Sequence, residues 1–116
     1  MTDPMYSVEE IDKRITFHVE DEIMEVTFQD FEFDNSTDVN VFFDRIEERI
    51  LETGHELWFF LVNYCNTRID ESAWFAFSRR GQELNLAHSM GSVRFDASET
   101  IRRRIENAGA RDNFDP

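Results

Sequence analysis

Six consecutive apolar residues, Leu57 to Val62, constrain this chain more than any other stretch. The run is far shorter than the ~20 residues a bilayer helix needs, and it reads as a strand buried on both faces. A polar turn follows, and Asp70 then opens a helix. As N-cap, Asp70 accepts from the backbone N–H of Ser72 or Ala73, and Ile69 and Trp74 take the two positions of a hydrophobic staple. Ser72 is left in the first helical turn, where unpaired amides and the helix dipole favour negative charge. A strand, a tight turn and a hydroxyl on a helix N-terminus form the stretch that points to a function.

The remaining elements follow from periodicity. Met1 to Asp12 shows no clear period and reads as a loose lead-in. Arg14 to Val19 and Glu22 to Gln29 alternate and pair as a hairpin turning at Asp21, with Ile15, Phe17 and Val19 on one face and Ile23 on a face of the second strand. Phe31 and Phe33 carry the alternation into a loop, Asp34 to Thr37. A helix is predicted from about Asp38 to Glu52, with Val39, Phe43, Ile46 and Ile50 inward, Asp44, Glu47 and Glu48 outside, and Gly54 as its stop. On the helix opened by Asp70, Ala73, Trp74, Phe77, Gly81 and Leu84 form the inward stripe. Gly81 would permit close approach to the sheet, while Phe75 and Arg79 face outward. His88 to Phe95 reads as a further strand, and Asp96 with Glu99 as a capping box for a last helix. That helix turns Ile101, Ile105 and Ala108 inward, carries Arg102 to Arg104 outside and stops at Gly109. The order β-β-α-β-α-β-α predicts a single α/β domain over residues 1–116, a mixed sheet of about four strands with helices packed on it.

Charge narrows the partners. The chain carries a net −13, and Met1 to Glu56 alone holds 17 acidic against 4 basic residues. Such a chain repels phosphate backbones, so nucleic acid is excluded as the expected partner. No apolar run predicts a membrane span. The single Cys65 forms no internal disulfide, and the expected setting is the cytoplasm. His18, His55 and His88 show no metal-ligand spacing with Cys65 or the acids, and no Gly-rich phosphate loop is present. Neither a metal, a cofactor nor an enzymatic activity is expected.

With this order and turn, the chain resembles a STAS domain, the sulfate-transporter and anti-sigma-factor-antagonist fold. The resemblance rests mainly on Leu57 to Gly81. In that family a buried strand leads into an Asp-Ser-Ser-Gly-type turn at a helix start, matched here by Asp70, Glu71, Ser72 and Ala73, preceded by Arg68 and Ile69. The tail from Arg104 to Phe114 also resembles the family's closing helix and exit. What this implies is a non-enzymatic regulatory module that binds a protein partner, an anti-sigma factor or serine-kinase-like regulator. The second serine of that turn is the family's phosphorylated residue, and Ser72 falls on it. A phosphate there adds roughly −1.5 to −2 charge at a partner-facing helix end. Glu71 stands where the family has its first serine, Ala73 where it has glycine, and Trp74 is bulkier than the usual aliphatic residue.

The expected partner surface comprises Thr67, Arg68, Asp70, Glu71, Ser72, Phe75 and Arg79. An alternative is a small-ligand or lipid-head-group module with a pocket beneath the turn, lined by Trp74, Phe59, Tyr64 and arginines. A third reading is a structural self-association domain, such as a homodimer.

Overall fold

A computed structural model describes residues 6–96, 98, 101 and 103. The chain opens with a short helix α1 (Val8–Asp12), then β1 (Ile15–His18) and β2 (Ile23–Thr27). A two-residue strand β3 (Glu32–Phe33) precedes α2 (Ser36–Thr53) and β4 (Trp58–Asn63). A second two-residue strand, β5 (Arg68–Ile69), leads into α3 (Glu71–His88), which runs directly into β6 (Ser89–Phe95). The architecture is α/β. A four-stranded mixed sheet has the order β1-β2-β4-β6, and β3 pairs with β5 in a separate two-stranded sheet. Strands β1 and β2 are antiparallel, whereas β2, β4 and β6 run parallel, as helical crossovers require.

The predicted hairpin is present, but its connection is a full 3₁₀ turn, Val19–Asp21, ending on Glu22 in the left-handed region at φ 57°. Val19, expected inward, is consequently 70% exposed. On β2 the inward residues are Met24 and Val26, and Ile23 lies on the opposite face.

Helix α2 begins two residues earlier than expected because Asn35 is its cap, with Oδ1 accepting from the Asp38 N–H at 3.0 Å. Gly54 ends it at φ 72°, a conformation that costs glycine nothing. Val39, Phe42, Phe43, Ile46 and Ile50 are buried against Met24, Val26, Trp58 and Phe60 of the sheet. Phe28, Phe31 and Phe33 complete an aromatic centre: Phe33 packs at 5.3 Å from Phe77 of α3 and Phe31 at 5.1 Å from Phe42 of α2.

Two expectations are corrected. Among the described residues, α2 and α3 cover strand β4 on one face. Trp58 and Phe60 are buried, but Phe59 is 47% exposed on the open side, where its ring lies against Gly91. Helices α2 and α3 pack on the face of Trp58 and Phe60, and Phe59 stands on the other face. From Tyr6 to Asp12 the lead-in is also ordered against the core. Ser7 Oγ accepts from the Glu10 N–H at 3.2 Å and caps α1, Ile11 is buried, and the Tyr6 ring stacks on Phe31 at 3.9 Å. Arg45 of α2 donates to both Asp12 oxygens, at 2.6 and 3.1 Å, and this bond is the main reason the Asp12 carboxyl is held below its ordinary value.

At the far end, Ser98 Oγ accepts from the Ile101 N–H at 3.2 Å, so Ser98 takes the capping position expected for Asp96. Ile101 and Arg103 are helical, Ile101 buried and Arg103 exposed. Glu99, Arg102, Arg104, Ile105, Ala108 and Gly109 lie outside the described residues, as does the tail to Phe114.

The docking of α1 is testable. Ile11→Ala should lower unfolding free energy by about 2–5 kcal/mol in a denaturant titration, the range for emptying a buried aliphatic site. Val8→Ala, at a half-exposed position, should change it by less than about 0.5 kcal/mol.

Candidate functional site

The pairing of β3 with β5 builds the site. Arg68 N–H donates to Phe31 O at 3.0 Å and Asp70 N–H to Phe33 O at 2.9 Å, so the residues entering α3 run beside those entering α2. The N-termini of the two long helices therefore lie side by side. Asp70 caps α3 as expected, Oδ2 accepting from the Ser72 N–H at 3.0 Å.

Ser72 is exposed, and its hydroxyl reaches two acceptors: Asp70 Oδ2 at 2.6 Å and Asp34 O, from the other helix entry, at 2.9 Å. The hydroxyl bond to Asp70 is the largest cause of a lowered Asp70 carboxyl, with the Ser72 backbone N–H second. A carboxylate so close to a hydroxyl polarises its oxygen and can accept its proton. The same carboxylate, with Glu71 next to it, also makes the surroundings of Ser72 acidic.

The other expected surface residues divide. Thr67 is buried, and its hydroxyl donates to Phe28 O at 2.8 Å. It braces the turn from inside and is not part of the outer surface. Arg68 is exposed, with Nη1 3.6 Å from Glu32. Glu71, Phe75 and Arg79 follow one another at four-residue spacing along the outside of α3, and Phe75 is 78% exposed. Arg79 pairs with Glu83 at 3.0 Å, an exposed pair of small energetic weight. Beside Phe75 a shallow depression lies between α2 and α3, lined by Asn40, Glu47, Arg79, Arg80 and Glu83. Arg80 crosses it, donating to Asn40 at 3.0 Å, Asp44 at 2.7 Å and Glu47 at 3.2 Å.

A second feature lies under the other side of α3. A cavity of about 70 Å³ separates α3 from β4 and β6. Its depth is apolar, with Phe43, Phe60, Tyr64, Phe77 and Leu84 buried around it. Trp74, Ser78, Gly81, Gln82 and Asn85 line it from the helix, and Ser92 and Arg94 from the edge strand. Burial pushes the Tyr64 phenol above its ordinary value, while the charge of nearby Arg94 opposes the shift. Gly81 brings no close approach: a Cβ there would meet nothing within 4 Å. Phe59, expected in such a pocket, lies on the open face of the sheet, and Trp74 and Tyr64 do line it.

The three histidines stay apart. His18 contacts Glu25, His55 lies 3.9 Å from Glu22, and His88 contacts Glu56 O. Among the described residues no group of three His, Cys, Asp or Glu could hold a metal, and no helix is long and apolar enough to cross a membrane.

The pocket expected beneath the turn is present, but its helix wall was not read from the sequence, although Trp74, Ser78, Gly81 and Asn85 recur at helical spacing beside the apolar stripe. The capping of α1 was visible as Ser7-x-x-Glu10.

The fold and site define a small α/β domain with a mixed four-stranded sheet. No family model matches the chain, and no curated protein and no solved structure matches it.

Ser72→Ala should raise the Asp70 carboxyl toward its ordinary value in a ¹³C-detected NMR titration, and only part way, because the Ser72 N–H remains. A carboxyl lowered by folding stabilises the fold above its unfolded pKa and loses that contribution as pH falls through the folded one. The variant should therefore show a weaker loss of stability between neutral and acidic pH. Gly81→Ala should raise unfolding free energy by about 0.5–1 kcal/mol, since it replaces the poorest helix former short of proline without a clash.

Proposed function

We propose that this chain is a cytoplasmic, STAS-like regulatory module, non-enzymatic, which binds a protein partner through the N-terminal and outer face of α3. The partner class is an anti-sigma factor or a serine-kinase-like regulator. The observation that carries the reading is the exposed Ser72 hydroxyl on Asp70 Oδ2, at the start of a helix that displays Phe75 one turn further on. An aromatic ring so exposed, beside a depression rimmed by arginines, has the composition of an interface anchor. Arg68, Asp70, Glu71 and Arg79 surround it with charge that sets orientation.

Two features support a switch at Ser72. The Asp70 carboxylate can take the hydroxyl proton as the Oγ–P bond forms and the P–O bond of a nucleoside triphosphate held by the partner kinase breaks, releasing the diphosphate there. The product then sets a dianion beside Asp70 and Glu71 and breaks the hydrogen bond to Asp34 O, so the modified face repels an acidic partner surface and loses its tie to the entry of α2. The adjoining N-termini of α2 and α3 offset part of that charge within the domain.

The test is co-purification of tagged wild type, Ser72→Asp and Phe75→Ala from the native cell, read by mass spectrometry. A partner retained by wild type should be lost from both variants, with thermal melts confirming that each is folded. An identical set of proteins from all three would show that the surface has been misassigned.

A further inference from the structure

The cavity beneath α3 carries an inference that does not depend on the docking face. Its depth is closed by aromatic and aliphatic side chains, while the partly exposed Ser78, Gln82 and Arg94 stand where it meets solvent. Arg94 is the arginine that borders this cavity. Arg45, Arg49, Arg68, Arg79 and Arg80 each lie within 4.0 Å of a carboxylate, and Arg14 donates to the carbonyls of Thr27 and Gln29. Arg94 lines the cavity with Tyr64 and, among the described residues, forms no ion pair with a carboxylate. A partly buried guanidinium at the mouth of an apolar cavity favours an incoming anion, which gains a charge-assisted hydrogen bond there. Ser78 and Gln82 add hydroxyl and amide donors on the same rim, whereas Ser92 and Asn85 are already committed to each other at 2.6 Å.

We propose that the cavity between α3 and β6 is a binding site for a short-chain aliphatic carboxylate, with its carboxylate on Arg94 and its tail among Phe43, Phe77 and Leu84. The size of the cavity sets the ligand class: about 70 Å³ takes roughly the last three carbons of a straight chain in its depth and not an aromatic ring, the rest of the chain reaching through the open mouth to Arg94. The charge sets the head group. A neutral alcohol of the same length gains the apolar contacts and forfeits the ion pair, which is the basis of the test.

The full chain is titrated with hexanoate and with 1-hexanol and followed by ¹H–¹⁵N NMR. The Trp74 indole lines the cavity and reports on it, while the Trp58 indole, which donates to His55 O elsewhere in the core, is the internal control. Hexanoate should shift the Trp74 indole and the Gly81 and Ser92 amides saturably and leave the Trp58 indole in place. Arg94→Gln should weaken hexanoate about tenfold, the lower end for a lost charge-assisted bond, and change 1-hexanol by less than about twofold. Gly81→Leu, which places its side chain in the cavity, should abolish both while the Trp58 indole resonance and the melting transition stay intact. Phe75→Ala should leave hexanoate binding unchanged, so this site and the docking face stand or fall separately. Shifts centred on Phe59 and Val93 of the open face, no saturable shift at Trp74, or equal hexanoate affinity in Arg94→Gln would each overturn the assignment.

Discussion

The structure depends on one short stretch of main-chain pairing, β3 against β5. Its two hydrogen bonds, from Arg68 N–H to Phe31 O and from Asp70 N–H to Phe33 O, hold the entries of both long helices at the same level. Each such bond contributes only about 1 kcal/mol net, yet leaving either partner buried and unpaired costs more. Phe31 and Phe33 accept these bonds through their carbonyls and send their rings into the core, against Phe42 and Phe77. One strand of two residues thus anchors the aromatic centre and aligns the helix starts. Ser72 reaches Asp34 O only because of that alignment.

Helix α3 then meets three different environments around its circumference. Ala73, Phe77 and Leu84 are buried; Trp74, Ser78, Gly81 and Asn85 border the cavity; Glu71, Phe75 and Arg79 face solvent. The second stripe is too small and polar to fill the space above the edge strand. What ties α3 to β6 there is the chain of bonds from Asn85 to Ser92 to Ser89, together with the direct continuation of the helix into the strand. An edge held by hydrogen bonds instead of interdigitated apolar side chains leaves room beneath the helix. The same helix therefore offers an outward face suited to a protein and an inward space suited to a small molecule.

Charge is organised by element. The acidic excess of the first half is crossed by arginines that clamp one helix to another: Arg45 ties α1 to α2 through Asp12, and Arg80 ties α3 to α2 through Asp44 and Glu47. Arg68 lies beside Glu32 of the first half in the same way. Single exposed pairs of this kind add little stability, but a bidentate pair such as Arg45 with Asp12 also fixes geometry. The balanced charge of the second half is partly spent on these crossings, and Arg94 stands outside them.

How much of this was legible follows from the range of each interaction. Helix α2, its stop at Gly54, the cap of α3 by Asp70 and the hairpin of β1 and β2 are local: each is decided by residues within a few positions, so spacing and residue type sufficed. Docking of α1, the pairing of β3 with β5 and the burial of Thr67 depend on partners tens of residues away, and no local pattern names them. Covering of β4 on one face was beyond the apolar run itself, because Leu57 to Val62 reads the same whether one layer or two lies over it. The sequence by itself determined which segments coil and extend and where Ser72 sits in its turn, through capping and periodicity. Only the tertiary structure decided which faces meet, that the Ser72 hydroxyl bridges two helix entries and that Arg94 overlooks a cavity, because long-range packing and charge pairing act between segments whose proximity the chain order does not encode.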